Sequence, residues 1–355
     1  MIRMTVYSSS KSHKKPAQER TTRRARKPTY RETKADNEAS VRTNARIFDI
    51  TSWKDLIRDE LAAMNAEKPG RPCVYCMSMM LWITVFMGYN KGLTFRKAAG
   101  TACGILRSHG IASPHYSTIF RRCSSISGFL SSGPEEDWMI SSYVRPRMGN
   151  RRHHVAIDST GLNLSKTTLW RENKWGAGPD RRGWLKMHAV ADVDTNEILA
   201  YILTEERVGD NRAFRMLMEL VLDEGYDIRT VYADNAYEAH ENWAMLHDLK
   251  IGFVVRFKSN TAPVSNGCME RGESAQYWVA HGPRAWTRHT GFGRRWKVEV
   301  TFSDFKRLVA ETVMATTGAG MAHEIVRKVL AFNLHKRVRA DIVSITGNNI
   351  LVAED

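Results

Sequence analysis

The chain has 355 residues, enough for one large core or several smaller ones, and 53 Lys and Arg stand against 38 Asp and Glu for a formal net charge of +15. That excess favours a polyanionic partner, nucleic acid ahead of an anionic membrane surface. The one strongly apolar run, Cys76 to Met87, is shorter than the roughly 20 residues of a bilayer-spanning helix, which excludes a transmembrane anchor; the basic first residues predict no secretory leader, and five scattered cysteines exclude a disulfide framework and fit a reducing, cytosolic setting.

Residues 1–48 are rich in Lys, Arg, Ser and Thr and poor in large apolar side chains, so they predict a disordered basic arm. Its densest cluster is Arg20, Arg23, Arg24, Arg26 and Lys27. Residues 49–148 predict a small all-helical region. Trp53, Leu56, Ile57, Leu61 and Met64 recur at helical spacing, and Met79, Leu81, Trp82, Val85 and Phe86 mark a second, buried helix. Within it, residues 94–126 read as helix-turn-helix-like. Thr94 caps a helix that stops near Gly110, and a second helix after Pro114 carries Arg121 and Arg122 toward DNA, across a connector longer than usual. Plain helical packing accounts for the same pattern equally well.

From His153 the texture changes to strands alternating with helices. His154 to Asp158 is a first strand; Trp184 to Asp192 and Glu197 to Thr204 form a hairpin turning at Asp194, Thr195 and Asn196. Ala213 to Leu222 is helical, Ile228 to Asp234 a fourth strand, Trp243 to Leu249 helical and Ile251 to Phe257 a fifth strand. This order predicts an α/β domain over residues 150–345, a mixed sheet with flanking helices and a loop insertion at about 258–292.

Asp158 ends the run Val155-Ala156-Ile157-Asp158, and Asp234 ends Val231-Tyr232-Ala233-Asp234. Carboxylates where apolar strands run out gather at sheet-end sites, although an aspartate there also starts turns and caps helices. Glu299 lies in a segment with Phe292, Arg295 and Lys306. On a helix, seven residues turn about 700°, so Glu299 and Lys306 fall within about 20° of each other, with Arg295 one turn earlier. Val298, Phe302, Phe305 and Val309 make an adjoining core stripe. The alternation of Trp296, Val298, Val300 and Phe302 suits a strand, but the longer helical register fits the whole segment. Two aspartates and a glutamate suit a pair of Mg²⁺ or Mn²⁺ ions, which prefer oxygen ligands and promote in-line displacement at phosphorus.

Together these segments resemble the bacterial and archaeal insertion-sequence transposases of the groups numbered four and five, whose catalytic core is ribonuclease H-like. Arg295, Glu299 and Lys306 match the family's tyrosine-arginine-glutamate-lysine signature, with Phe292 in the tyrosine's place. Ile157 to Gly161, Trp184 to His188 and Ala233 to Tyr237 match its other segments, and the likeness runs from about Val155 to Arg337. The resemblance implies a DDE transposase with Asp158, Asp234 and Glu299 as catalytic and metal-binding residues. It implies hydrolysis at the terminal inverted repeats of the chain's own element, followed by transfer of the 3′ hydroxyl into target DNA. Double-stranded DNA is then the partner, engaged by a homodimer in a prokaryotic cytoplasm. Arg295 and Lys306 would position phosphates. Phe292 lacks the tyrosine's hydroxyl and keeps only a stacking face. Lys166, Trp170, Arg171, Lys174, Trp175, Arg181 and Arg182 mix cations with aromatics as a DNA-contacting loop does. The alternatives are a transposase-derived DNA-binding protein without catalysis and a nuclease that cuts without joining.

Other features point to no chemistry. Cys73 and Cys76 form a lone Cys-x-x-Cys, read as core. His153 and His154, beside Arg151 and Arg152, read as surface residues, and Asp210 reads as a helix cap. No Gly-rich phosphate loop is present, so no nucleotide cofactor is expected.

Overall fold

The computed structural model describes residues 30–90, 94–132, 151–165, 184–206 and 208–350. The chain divides into two compact units, Met1–Glu38 and Ala39–Asp355, and the core and sheet belong to the second. Five helices come first: α1 (Tyr30–Phe48), α2 (Ile50–Asn65), α3 (Met77–Tyr89), α4 (Phe95–Ser108) and α5 (Tyr116–Ser132). Asp49 caps α2 by accepting from the Thr51 amide at 3.0 Å, and Thr94 caps α4 through the Lys97 amide.

The segment expected as a flexible arm is helical from Tyr30 onward. Its physical reason lies in its last turns. Thr43 and Ile47 are buried, and Phe48 packs edge-on against Phe86 and Tyr89 at 5.6 and 5.2 Å, burial that a basic composition conceals. The apolar run is α3, with Met79, Met80, Trp82 and Ile83 almost wholly inaccessible. None of the described helices is long and apolar enough to cross a membrane.

The sheet comprises β1 (His153–Leu164), β2 (Trp184–Asp192), β3 (Ile198–Glu205), β4 (Ile228–Ala233), β5 (Gly252–Val255) and the short β6 (Thr312–Val313). Its order is β3-β2-β1-β4-β5, with β6 pairing β1. The β1–β2 and β2–β3 pairs are antiparallel; β4 lies parallel to β1 and β5 parallel to β4. Asn196, at φ 58°, makes the hairpin turn where the sequence placed it. This mixed sheet with helices on both faces is the ribonuclease H-like arrangement.

Successive strand residues face opposite ways, and the two faces bury separate clusters. Val155, Ile157, Val231, Ala233 and Val255 face α6 (Asp210–Asp223), α7 (His240–Asp248) and α8 (Met269–Thr290). Ala156, Leu162, Met187 and Ala189 face α9 (Trp296–Val309) and α10 (Gly318–Ile350), which continue into the helical region through α3. The expected loop insertion is mostly α8. Ala275, Trp278 and Trp286 seat it around Phe257, and it kinks at Gly282 (φ 77°) before Pro283.

Candidate active site

Register sets the first two carboxylates side by side. Ile157 pairs with Ala233 in the parallel β1–β4 ladder, so Asp158 and Asp234, each one residue further on, leave neighbouring strands about 4.8 Å apart at the same level. Alternation turns Asp158 to the α9 face, because Ala156 lies on that face and Ile157 on the other. Asp234 then caps a 3-10 turn (Asn235–Tyr237), accepting from the Ala236 amide at 2.8 Å.

The third carboxylate arrives on α9. A 3-10 turn, Phe292–Arg295, leads into this helix, and Arg295 reaches back to Asp158 Oδ2 at 2.9 Å while its other terminal nitrogen bonds Glu299 Oε1 one turn ahead. One guanidinium thus ties β1 to the helix bearing Glu299. Asp158 also accepts from the Ser159 amide at 2.8 Å. Burial pushes the Asp158 carboxyl up from its ordinary value; the Asp234 charge adds to the rise, while the Ser159 amide and Arg295 oppose it. Tyr237, wholly buried, has its hydroxyl pushed up by burial and then by the charges of Asp210, Asp158 and Asp234.

A cavity of about 660 Å³ opens beside these groups, lined by Asp234, Asn235, Arg256, Lys258, Phe292 and Arg295 among others. Arg256 and Lys258 alternate with buried Val255 and Phe257. The alternation just past β5 was the signal for these two cations, which the sequence reading missed. Phe292 lines the cavity with its ring packed against Trp286 at 5.2 Å. Trp296, next to Arg295, is 56% exposed, with Lys297 over its ring at 5.6 Å.

Lys306 shares the helix face predicted for it, yet its ammonium lies 3.6 Å from Glu311. Arg121 and Arg122 are exposed on α5 in the helical region. Lys166, Trp170, Arg171, Lys174, Trp175, Arg181 and Arg182 fall outside the described residues. Two readings need correction. His153 is buried, not superficial, with Nδ1 2.6 Å from Asp192, since Asp192 closes the neighbouring strand. Asp210 makes no cap bond; Gly209 occupies the cap and Asp210 turns inward to Lys186 at 2.7 Å and His188 at 3.4 Å.

The family model described as a transposase DDE domain matches residues 149–334, more than half of the chain. The solved structures it is similar to include a piggyBac transposase synaptic complex with hairpin DNA: 10% identity over 87% of this chain and 76% of that one, TM-score 0.43. A Drosophila P element transposase strand transfer complex is 11% identical over 58% and 46% of the two chains, TM-score 0.32. The Mos1 transposase paired-end complex is 13% identical over 69% and 80%, TM-score 0.22.

Proposed function

Because the chain belongs to the transposase DDE domain family, we propose that it cuts and rejoins DNA at the terminal inverted repeats of its own insertion sequence, with Asp158, Asp234 and Glu299 as its catalytic residues. The observation that carries this is the level pairing of Ile157 with Ala233, which sets two aspartates together where Arg295 brings in a glutamate. The donor set suits magnesium or manganese, since it offers only oxygens. Burial, with a smaller contribution from the Asp234 charge, holds the Asp158 carboxyl above its ordinary value despite Arg295, and a bound cation would favour its charged form. Asp158, Asp234 and Glu299 would hold the ions. A divalent cation there supplies the charge that activates an attacking oxygen and stabilises the leaving oxygen at phosphorus.

The chain's own side chains supply the rest. Arg295, Arg256 and Lys258 give the cavity a cationic wall for backbone phosphates, Lys306 extends it along α9, and Phe292 and Trp296 offer rings for an unpaired base. The helical region, residues 49–148, is the proposed DNA-recognition part, with α5 presenting Arg121 and Arg122; residues 150–345 form the catalytic part. Double-stranded DNA is the partner, with two element ends paired by a homodimer.

The test is cleavage and joining of a DNA carrying the element's ends, with Mg²⁺ or Mn²⁺. Asp158→Asn, Asp234→Asn and Glu299→Gln should each lower cleavage by at least about 1,000-fold, a loss of about 4 kcal/mol of transition-state stabilisation, while keeping DNA affinity. Cleavage without joining indicates a nuclease. Binding without cleavage by the intact chain indicates a DNA-binding descendant.

A further inference from the structure

At the start of α8, a second group of potential ligands converges. The chain leaves the cavity wall at Asn260 and turns through Asn266 and Gly267, at φ 48° and 85°, before entering α8. This turn presses Gly267 against α7. A Cβ on Gly267 would lie 3.3 Å from the His240 ring, and its left-handed backbone would strain any larger residue. Arg271 locks the first turn of α8 in place, donating to Glu238 at 2.8 Å and to the Val264 carbonyl at 2.6 Å, and all but 6% of it is buried.

The fixed turn carries Cys268 and Glu270 to His247 at the end of α7. His247 Nδ1 lies 2.8 Å from Glu270 Oε1, and the Cys268 thiol donates to Glu270 Oε2 at 3.2 Å. One ligand atom from each of the three residues lies within 4.8 Å of the others. In a tetrahedral zinc site, bond lengths of about 2.0 to 2.3 Å place neighbouring ligand atoms roughly 3.3 to 3.5 Å apart, within the spacing seen here. Cys268 is buried while His247 and Glu270 are half exposed, and an adjoining cavity of about 560 Å³, lined by all three, opens a path for an ion.

We propose that His247, Cys268 and Glu270 form a binding site for a zinc-class divalent cation, with water in the fourth position, joining the start of α8 to the end of α7. A thiolate and an imidazole select borderline-soft ions, whereas the oxygen-only set around Asp158 suits hard ones. The two sites therefore differ in preference. Binding exchanges the Cys268 S–H bond to Glu270 for a sulfur–metal bond, and the thiol proton passes to solvent. The ion would fix the far end of the segment whose near end, Arg256–Asn260, walls the cavity beside Asp234.

The experiment is titration of the metal-stripped full chain with Co²⁺ in excess Mg²⁺, followed by displacement with Zn²⁺. We expect one equivalent of Co²⁺ to bind with a thiolate-to-cobalt charge-transfer band and tetrahedral visible absorption, both bleached by Zn²⁺. Cys268→Ser should abolish the band, and His247→Ala should weaken binding by a factor on the order of 100 or more. An Asp158→Asn/Glu299→Gln double variant should keep the full signal, as should Cys73→Ser/Cys76→Ser. Absence of a thiolate band in the intact chain overturns the proposal, as does a band that survives Cys268→Ser or disappears with Cys73 and Cys76. His247 lies on the surface, so His247→Ala keeps the test sound if Cys268→Ser misfolds.

Discussion

At the scale of single residues, Arg295 decides how the site stands. Its guanidinium spans two carboxylates from different elements, a bridge that needs donors in a planar fork. Arg295→Lys keeps the charge but cannot bond both partners with that geometry, so cleavage at saturating DNA should fall about 10- to 100-fold, and further in Arg295→Ala. Single-turnover rates measure this, and unchanged rates in both variants would remove Arg295 from the machinery. The pair Arg295 and Glu299 was legible in the sequence because one helical turn separates the two. The Lys306–Glu311 contact was not, because Glu311 lies beyond the end of α9. Asp210 and His153 were misread for a related reason. Their partners, Lys186 and Asp192, stand on β2, and no local pattern reveals which strand will lie alongside.

At the scale of elements, α10 is the least legible, and it packs against α3, α5, α9, β3 and β6. Its buried face includes Arg327, Lys328, Asn333 and His335, which hides the apolar stripe a helix normally shows. Arg327 lies over the Phe95 ring at 5.4 Å, and the other three find hydrogen-bond partners. Lys328 donates to the carbonyls of Ala310 and Thr312, and Asn333 bonds both the amide and the carbonyl of Ile198 on edge strand β3, at 2.9 and 2.8 Å. Asn333→Ala leaves two buried backbone groups unmatched, and denaturant unfolding should show a loss of about 1–3 kcal/mol.

His335 gives the same helix a pH response. Tyr89 on α3 bonds its Nδ1 at 2.7 Å. Burial first, then Lys336, Arg339 and Arg307, against the opposing charge of Asp304, lowers its pKa from 6.5 to about 4. Between those values the unfolded chain binds a proton that the folded chain refuses. The contribution is full above pH 6.5 and declines as pH falls toward 4, by up to about 1.4 kcal/mol per pH unit. His335→Gln should flatten the melting temperature over that window; an unaltered slope would assign the acid sensitivity elsewhere.

At the scale of the whole molecule, the net charge of +15 predicts salt-sensitive DNA binding. The slope of log affinity against log salt should be about −0.9 per phosphate neutralised. Replacing both Arg121 and Arg122 with Ala should make it shallower by about 1 to 2, with cleavage at saturating DNA unchanged; an identical slope would take α5 off the DNA. The five longer strands were legible because each apolar run is bounded by turn residues, whereas their order in the sheet was not. The two-residue β6 was too short to register, and the helical content of residues 258–292 was hidden by the kink at Gly282 and Pro283.

The packing of α3 against α10 also bears on how the protein is made. All three carboxylates have been synthesised by Glu299, but one of the helices packed around α3, α10, comes only with residues from Gly318 on. A chain interrupted between those points would carry all three acidic groups and an α3 that lacks its α10 neighbour. Such fragments should aggregate or be degraded. A chain ended at residue 317 should therefore be recovered in the insoluble fraction.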